Sequence, residues 1–181
     1  MDSDGYLSQL ADIFNGITVN TPSISAIIAI VLAGVLLLAS GFASASEIAF
    51  FSLTPSDRND IDEQNHPSDE KISALLGDSE RLLATILITN NFVNVTIIML
   101  CNFFFMNVFV FHSPLAEFLI LTVILTFLLL LFGEIMPKIY SAQKTLAFCR
   151  FSAPGIYALE KVFYPIASVL VRSTTFLNKH F

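Results

Sequence analysis

Apolar residues in this chain come in long unbroken runs, without the alternation of a half-buried strand. No Asp, Glu, Lys or Arg occurs between Asp12 and Glu47, or between Arg81 and Glu117. Each run exceeds the roughly 20 apolar residues that a helix needs to cross about 30 Å of hydrocarbon. A third run, FLILTVILTFLLLLFG, lies between Glu117 and Glu134, and its flanks extend it from about Leu115 to Met136. The runs predict three transmembrane helices. The first covers about Ser23 to Leu53 and is closed by Thr54-Pro55, where a helix cannot easily continue. The second covers about Glu80 to Phe109, and the third opens with Pro114 in its first turn.

The segments between and around these helices are polar. Residues 1–22 read as an external amphipathic lead-in ended by Pro22; without a basic stretch ahead of an apolar one they do not form a cleaved signal peptide. The acidic loop 54–81 is expected to carry a short amphipathic helix from Asp69 to Leu76, a stop at Gly77 and a cap at Ser79 for the second span. The stretch Ile156 to Leu177 is apolar enough to suggest a fourth crossing. Glu160, Lys161 and Arg172 interrupt it, Pro165 breaks its middle, and a fourth crossing puts Lys179 outside. It is therefore expected to form a pair of short interfacial helices along the cytoplasmic face. The fold class is an all-α integral membrane protein: a three-span domain over 23–137 and a juxtamembrane amphipathic belt over 138–181.

Composition sharpens this picture through what is missing. Charged residues make up 13% of the chain and hydrophobic ones 55%, against about a quarter charged in soluble domains. The formal net charge of −6 says less than the placement of the cations. Arg58, Lys71 and Arg81 fall in or beside the loop between spans one and two, and the other six follow span three. The positive-inside rule then puts the N-terminus outside and the C-terminus in the cytoplasm, in a multi-pass cell (inner) membrane protein. Basic residues interleaved with acids make no nucleic-acid patch. Cys101 and Cys149 have no metal or redox spacing and read as packing residues.

An ionisable residue inside a span is a functional hypothesis by default. Glu117 reads as a solvated residue near the external interface, which leaves Glu47 and Glu134. Beside Glu134, Pro137 has no N–H to give the Gly133 carbonyl, so a carboxylate and a loosened carbonyl stand together on opened backbone. Such backbone is tolerated at membrane depth only when buried in protein or lining a cavity. The bland reading is a proline kink whose Glu134 pairs with Lys138. In span one Ser40 and Ser44 share a face, with Glu47 near it, and Gly41, Ala43 and Ala45 keep the helix slender. Span two carries Asn90, Asn91 and Asn94. Each group alone reads equally as interhelical hydrogen bonding. Together they form an all-oxygen donor set, suited to a hard cation such as Mg²⁺ or Ca²⁺ and not to zinc or copper.

The strings SGFASASEIAFFSL, TNNFVNV and FGEIMPK, in that order, resemble the membrane domain of the CorC/cyclin M (CNNM) family of magnesium transporters, over roughly residues 23–181. The gliding-motility-associated GldE-like branch is the most similar. The resemblance implies a homodimer of three-span subunits that exports Mg²⁺ in exchange for Na⁺. Its implied ligands are Ser40, Ser44, Asn90, Asn94, Glu134 and the Gly133 carbonyl, with Pro137 opening the helix and Lys138 at the cytoplasmic mouth. Thr89 departs from the Gly that the family usually carries before the first Asn. Family members continue into nucleotide-binding CBS modules, so the chain reads as an excised membrane domain in which nucleotide binding is not expected. The alternative is a non-transporting scaffold or sensor attached to a gliding or secretion apparatus. An intramembrane enzyme is not expected: His66, His112 and His180 lie outside the spans, and a serine nucleophile has no base.

Overall fold

Three helices are long and apolar enough to cross a bilayer: α1 (Ile24–Phe51), α4 (Ser79–Val108) and the continuous stretch Pro114–Gln143. They come from a computed structural model that describes Ser8 and residues 17–180, with side chains as far as Ser173. Most of the expected lead-in, residues 1–7 and 9–16, lies outside the described residues, as do Phe181 and the His180 side chain.

Each span begins where the sequence supplies a cap. The Ser23 hydroxyl accepts from the Ala26 N–H, and the Ser113 hydroxyl accepts from the Ala116 N–H with Pro114 in the first turn. For α4 the cap is Asp78, whose carboxylate accepts from the Arg81 N–H. This corrects the expected Ser79 cap by one residue. Span one stops at Phe51, and Pro55 opens a short helix, α2 (Pro55–Asp62). Thr54 and Asp57 close a reciprocal capping box over it. A second short helix, α3 (Asp69–Gly77), follows and ends at Gly77 as expected.

At the opposite end of the spans, β1 (Thr18–Val19) pairs antiparallel with β2 (Phe109–Val110). The Ser23 hydroxyl also donates to Asn107 Oδ1 at 3.0 Å. These bonds clip the segment before α1 to the turn between the second and third spans.

The third span has three parts: α5 (Pro114–Leu128), a π-helical segment (Leu129–Ile135) and α6 (Met136–Gln143). After it comes α7 (Thr145–His180), one helix that runs through both Pro154 and Pro165. The expected pair of short helices broken at Pro165 is therefore incorrect. A proline's φ suits a helix, and its cost is a lost bond and a crowded carbonyl. Water can solvate the freed carbonyl where the helix lies at an interface.

Two apolar clusters hold the molecule. Ala33, Val93, Ile97, Cys101 and Leu125 join the three spans in one half. Phe50, Ile61, Ile72, Leu82, Cys149 and Ile156 join α1 and α4 to the belt helices in the other. Gly155 admits the close approach of α7, since a Cβ there falls 3.0 Å from the Phe42 ring. The belt is also stapled by charge. Asp69, fully buried, takes the Arg150 guanidinium on both oxygens at 2.8 and 3.0 Å, and the His66 N–H at 3.0 Å.

Candidate functional site

Ser40 lies midway along α1 with no exposed surface. Its hydroxyl donates to Asn90 Oδ1 at 2.8 Å and to Asn94 Oδ1 at 2.6 Å, across to α4. The spacing explains the convergence, because residues four apart on a helix lie one above the other and both amides face one hydroxyl. A serine hydroxyl carries a single proton. It cannot fully serve two carbonyl oxygens, so this trio holds more lone pairs than protons. The excess is relieved either by turning one amide or by a cation. Asn91, between them in sequence, is exposed and takes no part.

The third span enters this cluster through glycine. A Cβ on Gly133 falls 3.1 Å from Ser40 Oγ, so the Gly133 backbone lies directly against the hydroxyl. One residue along α1, a Cβ on Gly41 falls 2.9 Å from Pro137 Cγ and 3.2 Å from the Phe132 carbonyl oxygen. The two glycines form a reciprocal notch, each making room for the other helix.

The local backbone differs from an open break. Pro137 is accommodated by the wide turns of the π segment, which ends with the Met136 N–H on the Leu131 carbonyl. In a five-residue register the carbonyl that Pro137 leaves without its donor is that of Phe132, the one lying over Gly41. Gly133 remains the backbone nearest Ser40.

The other expected residues divide. Ser44, one turn beyond Ser40, is fully buried and its hydroxyl has no hydrogen-bond partner. Glu134 is half-buried, and its carboxylate makes no hydrogen bond or ion pair with the described residues. Lys138 does not pair with Glu134; its Nζ sits 3.0 Å from the Glu47 carboxylate. That pair explains the second intramembrane acid, which sequence reading left without a role. It also leaves Glu134, next in sequence to Gly133, without an ion-pair partner among the described residues. Ser141 adds a further tie, donating to the Ala45 carbonyl at 2.7 Å. Both ties cross between helices, and only a helix register could have revealed them.

Thr89 satisfies its own hydroxyl by donating to the Thr85 carbonyl at 2.8 Å. Its side chain therefore does not stop Ser40 from reaching Asn90 and Asn94. Among the described residues no three His, Cys, Asp or Glu side chains converge. The cluster offers hydroxyl and amide oxygens, with the Gly133 backbone packed against it, a donor set of hard-cation character.

The family model of the cyclin M transmembrane N-terminal domain (CNNM) matches residues 28–181. A UPF0053 protein of Haemophilus influenzae is 32% identical over 130 residues, which cover 72% of this chain and 30% of that protein. The chain thus spans less than a third of the length of that curated relative.

Proposed function

The chain belongs to the cyclin M transmembrane family, and from that premise we propose that it is a divalent-cation transport domain whose cargo, Mg²⁺, binds among Ser40, Ser44, Asn90, Asn94, Glu134 and the Gly133 carbonyl. On this reading Mg²⁺ leaves the cell in exchange for Na⁺. The domain works as a homodimer in the cell (inner) membrane, with its N-terminus outside and its C-terminus in the cytoplasm. No enzymatic step is assigned to it.

One observation carries the reading. A single hydroxyl proton stands between two amide oxygens, one helical turn from an unpartnered buried hydroxyl at Ser44, and Glu134, next in sequence to the Gly133 that packs on Ser40, has no counter-ion among the described residues. Interhelical hydrogen bonding alone has no use for the last two. A set with one carboxylate and otherwise neutral oxygens binds Mg²⁺ weakly and releases it, as transport requires.

Thermal unfolding of the purified protein tests the site. A ligand that binds only the native state at 100 times its Kd adds about 2.7 kcal/mol, so Mg²⁺ raises the wild-type Tm. Ser40→Ala and Glu134→Gln are expected to abolish that rise, and Asn91→Ala, outside the cluster, to keep it. Undiminished Mg²⁺ stabilisation in the first two variants removes the assignment. Flux in proteoliposomes separates transport from a scaffold or sensor role, which predicts Mg²⁺ movement no faster than in protein-free vesicles.

A further inference from the structure

Lys138 has a choice of two carboxylates and takes the less local one. Glu134 stands four residues before it, the spacing and order in which Glu and Lys on one helix pair best. The passage from the π segment into α6 keeps the two on one side, because four residues slightly exceed an α turn and fall slightly short of a π turn. Lys138 Nζ nevertheless lies 3.0 Å from Glu47 Oε2, across on α1. Neither acid makes a further ion pair with the described residues. One ammonium serves two acids, and the acid left over is Glu134.

The register between the helices sets this choice. Ser40 faces Gly133, Gly41 faces Pro137, and Ala45 accepts from Ser141, so α1 and the third span run side by side in the same direction. Glu47 and Lys138 close the row on the side away from the β1–β2 clip. Glu47 lies seven residues past Ser40 on α1, about 10 Å at 1.5 Å per residue. It lies three residues past Ser44, whose buried hydroxyl has no partner. The pair is partly withdrawn from water, with side-chain exposures of 28% for Glu47 and 35% for Lys138. Its attraction is therefore stronger than that of a fully solvated pair.

We propose that Glu47 is a positioning residue for the cation site: it holds the Lys138 ammonium off Glu134, whose carboxylate thereby stays open to Mg²⁺. Without Glu47, the flexible four-carbon stem of the lysine lets it turn back to Glu134 and compete, as a tethered cation, for the same oxygens. This deepens the transport reading and rests on it for the identity of the cargo. A pair that only staples α1 to the third span predicts something else. Loss of either partner then weakens the fold alike, and the Mg²⁺ requirement does not depend on which partner is lost.

Mg²⁺ titration of the Tm of the purified protein separates the two. Glu47→Gln is expected to raise the Mg²⁺ concentration for half the Tm rise at least about fivefold, the effect of one unit charge about 4 Å away in a water-like medium. Adding Lys138→Gln to Glu47→Gln is expected to return that concentration to within about twofold of the native value. Lys138→Gln alone is expected not to raise it. An unchanged requirement in Glu47→Gln, or an equal rise in both single variants, overturns the proposal. Should Glu47→Gln not fold, Lys138→Gln decides alone, and a raised requirement there overturns it. A second readout needs no Mg²⁺. The Tm shifts of Glu134→Gln and Lys138→Gln are expected to add in the native background and to fail to add in Glu47→Gln, where the two side chains become partners. Additivity in both backgrounds overturns the proposal. If Mg²⁺ stabilises no form of the protein, the Ser40 site fails, and the thermal cycle still decides where Lys138 goes.

Discussion

Two glycines on one helix make opposite predictions. Gly34 has nothing within 4 Å of an added Cβ, so Gly34→Ala gains helix propensity, up to about 1 kcal/mol. Gly41 has the Pro137 ring at 2.9 Å and the Phe132 carbonyl at 3.2 Å, neither of which is the free end of a flexible chain. Gly41→Ala therefore pushes the third span outward, at about 1–3 kcal/mol for overpacking. Moving that helix also withdraws Gly133 from Ser40, so the Mg²⁺-dependent rise in Tm is expected to shrink in Gly41→Ala and persist in Gly34→Ala. Thermal unfolding of both variants with and without Mg²⁺ checks this. The Ser40, Asn90 and Asn94 cluster was legible in the sequence because four-residue spacing puts like groups on one helix face. The Glu47–Lys138 pair was not, because it needs the register between two helices that hydropathy leaves open.

Among the elements, the spans were the most legible, since charge-free runs of that length have few other uses. The sequence also marked Pro137 as a disturbance, though not its form, because a proline can break a helix, kink it or, as here, sit after a π segment. Pro165 misled for a related reason: a proline within a helix is judged by what solvates the freed carbonyl, which is a tertiary matter. Helix α2 was missed although Thr54-Pro55-Ser56-Asp57 carries its capping box. The belt staple yields a prediction with a definite sign. Burial alone raises the Asp69 carboxyl, but the Arg150 guanidinium and the His66 N–H outweigh it and hold it below the ordinary aspartate range. A carboxylate depressed in the folded state contributes fully above its unfolded pKa, about 3.9, and loses that contribution as pH falls through the folded value. The difference in Tm between wild type and Asp69→Asn is therefore expected to be constant from pH 7 down to about 4, and to close below that. Arg150→Met leaves a buried carboxylate without its cation and is expected to cost on the order of 3 kcal/mol, more than Asp69→Asn.

At the scale of the whole molecule the two ends differ in kind. One end has the β1–β2 clip and, in residues 17–23 and 109–113, no Lys or Arg. The other gathers Arg58, Lys71, Arg81, Lys138 and Arg150 around the belt helices. By the positive-inside rule, the proposed orientation places the β1–β2 clip outside. The prediction is chemical. The native thiols are poor labels: Cys101 is buried, and Cys149, fully enclosed, is pushed by burial up to about 12. With both replaced by Ser, Asn20→Cys beside β1 is expected to react with a membrane-impermeant maleimide on intact cells, and Asn65→Cys in the exposed α2–α3 loop only after permeabilisation. The reverse pattern inverts the molecule. Because Asn20 and Asn65 lie at opposite ends of the same spans, the orientation is read from two sites that no single local unfolding event exposes together.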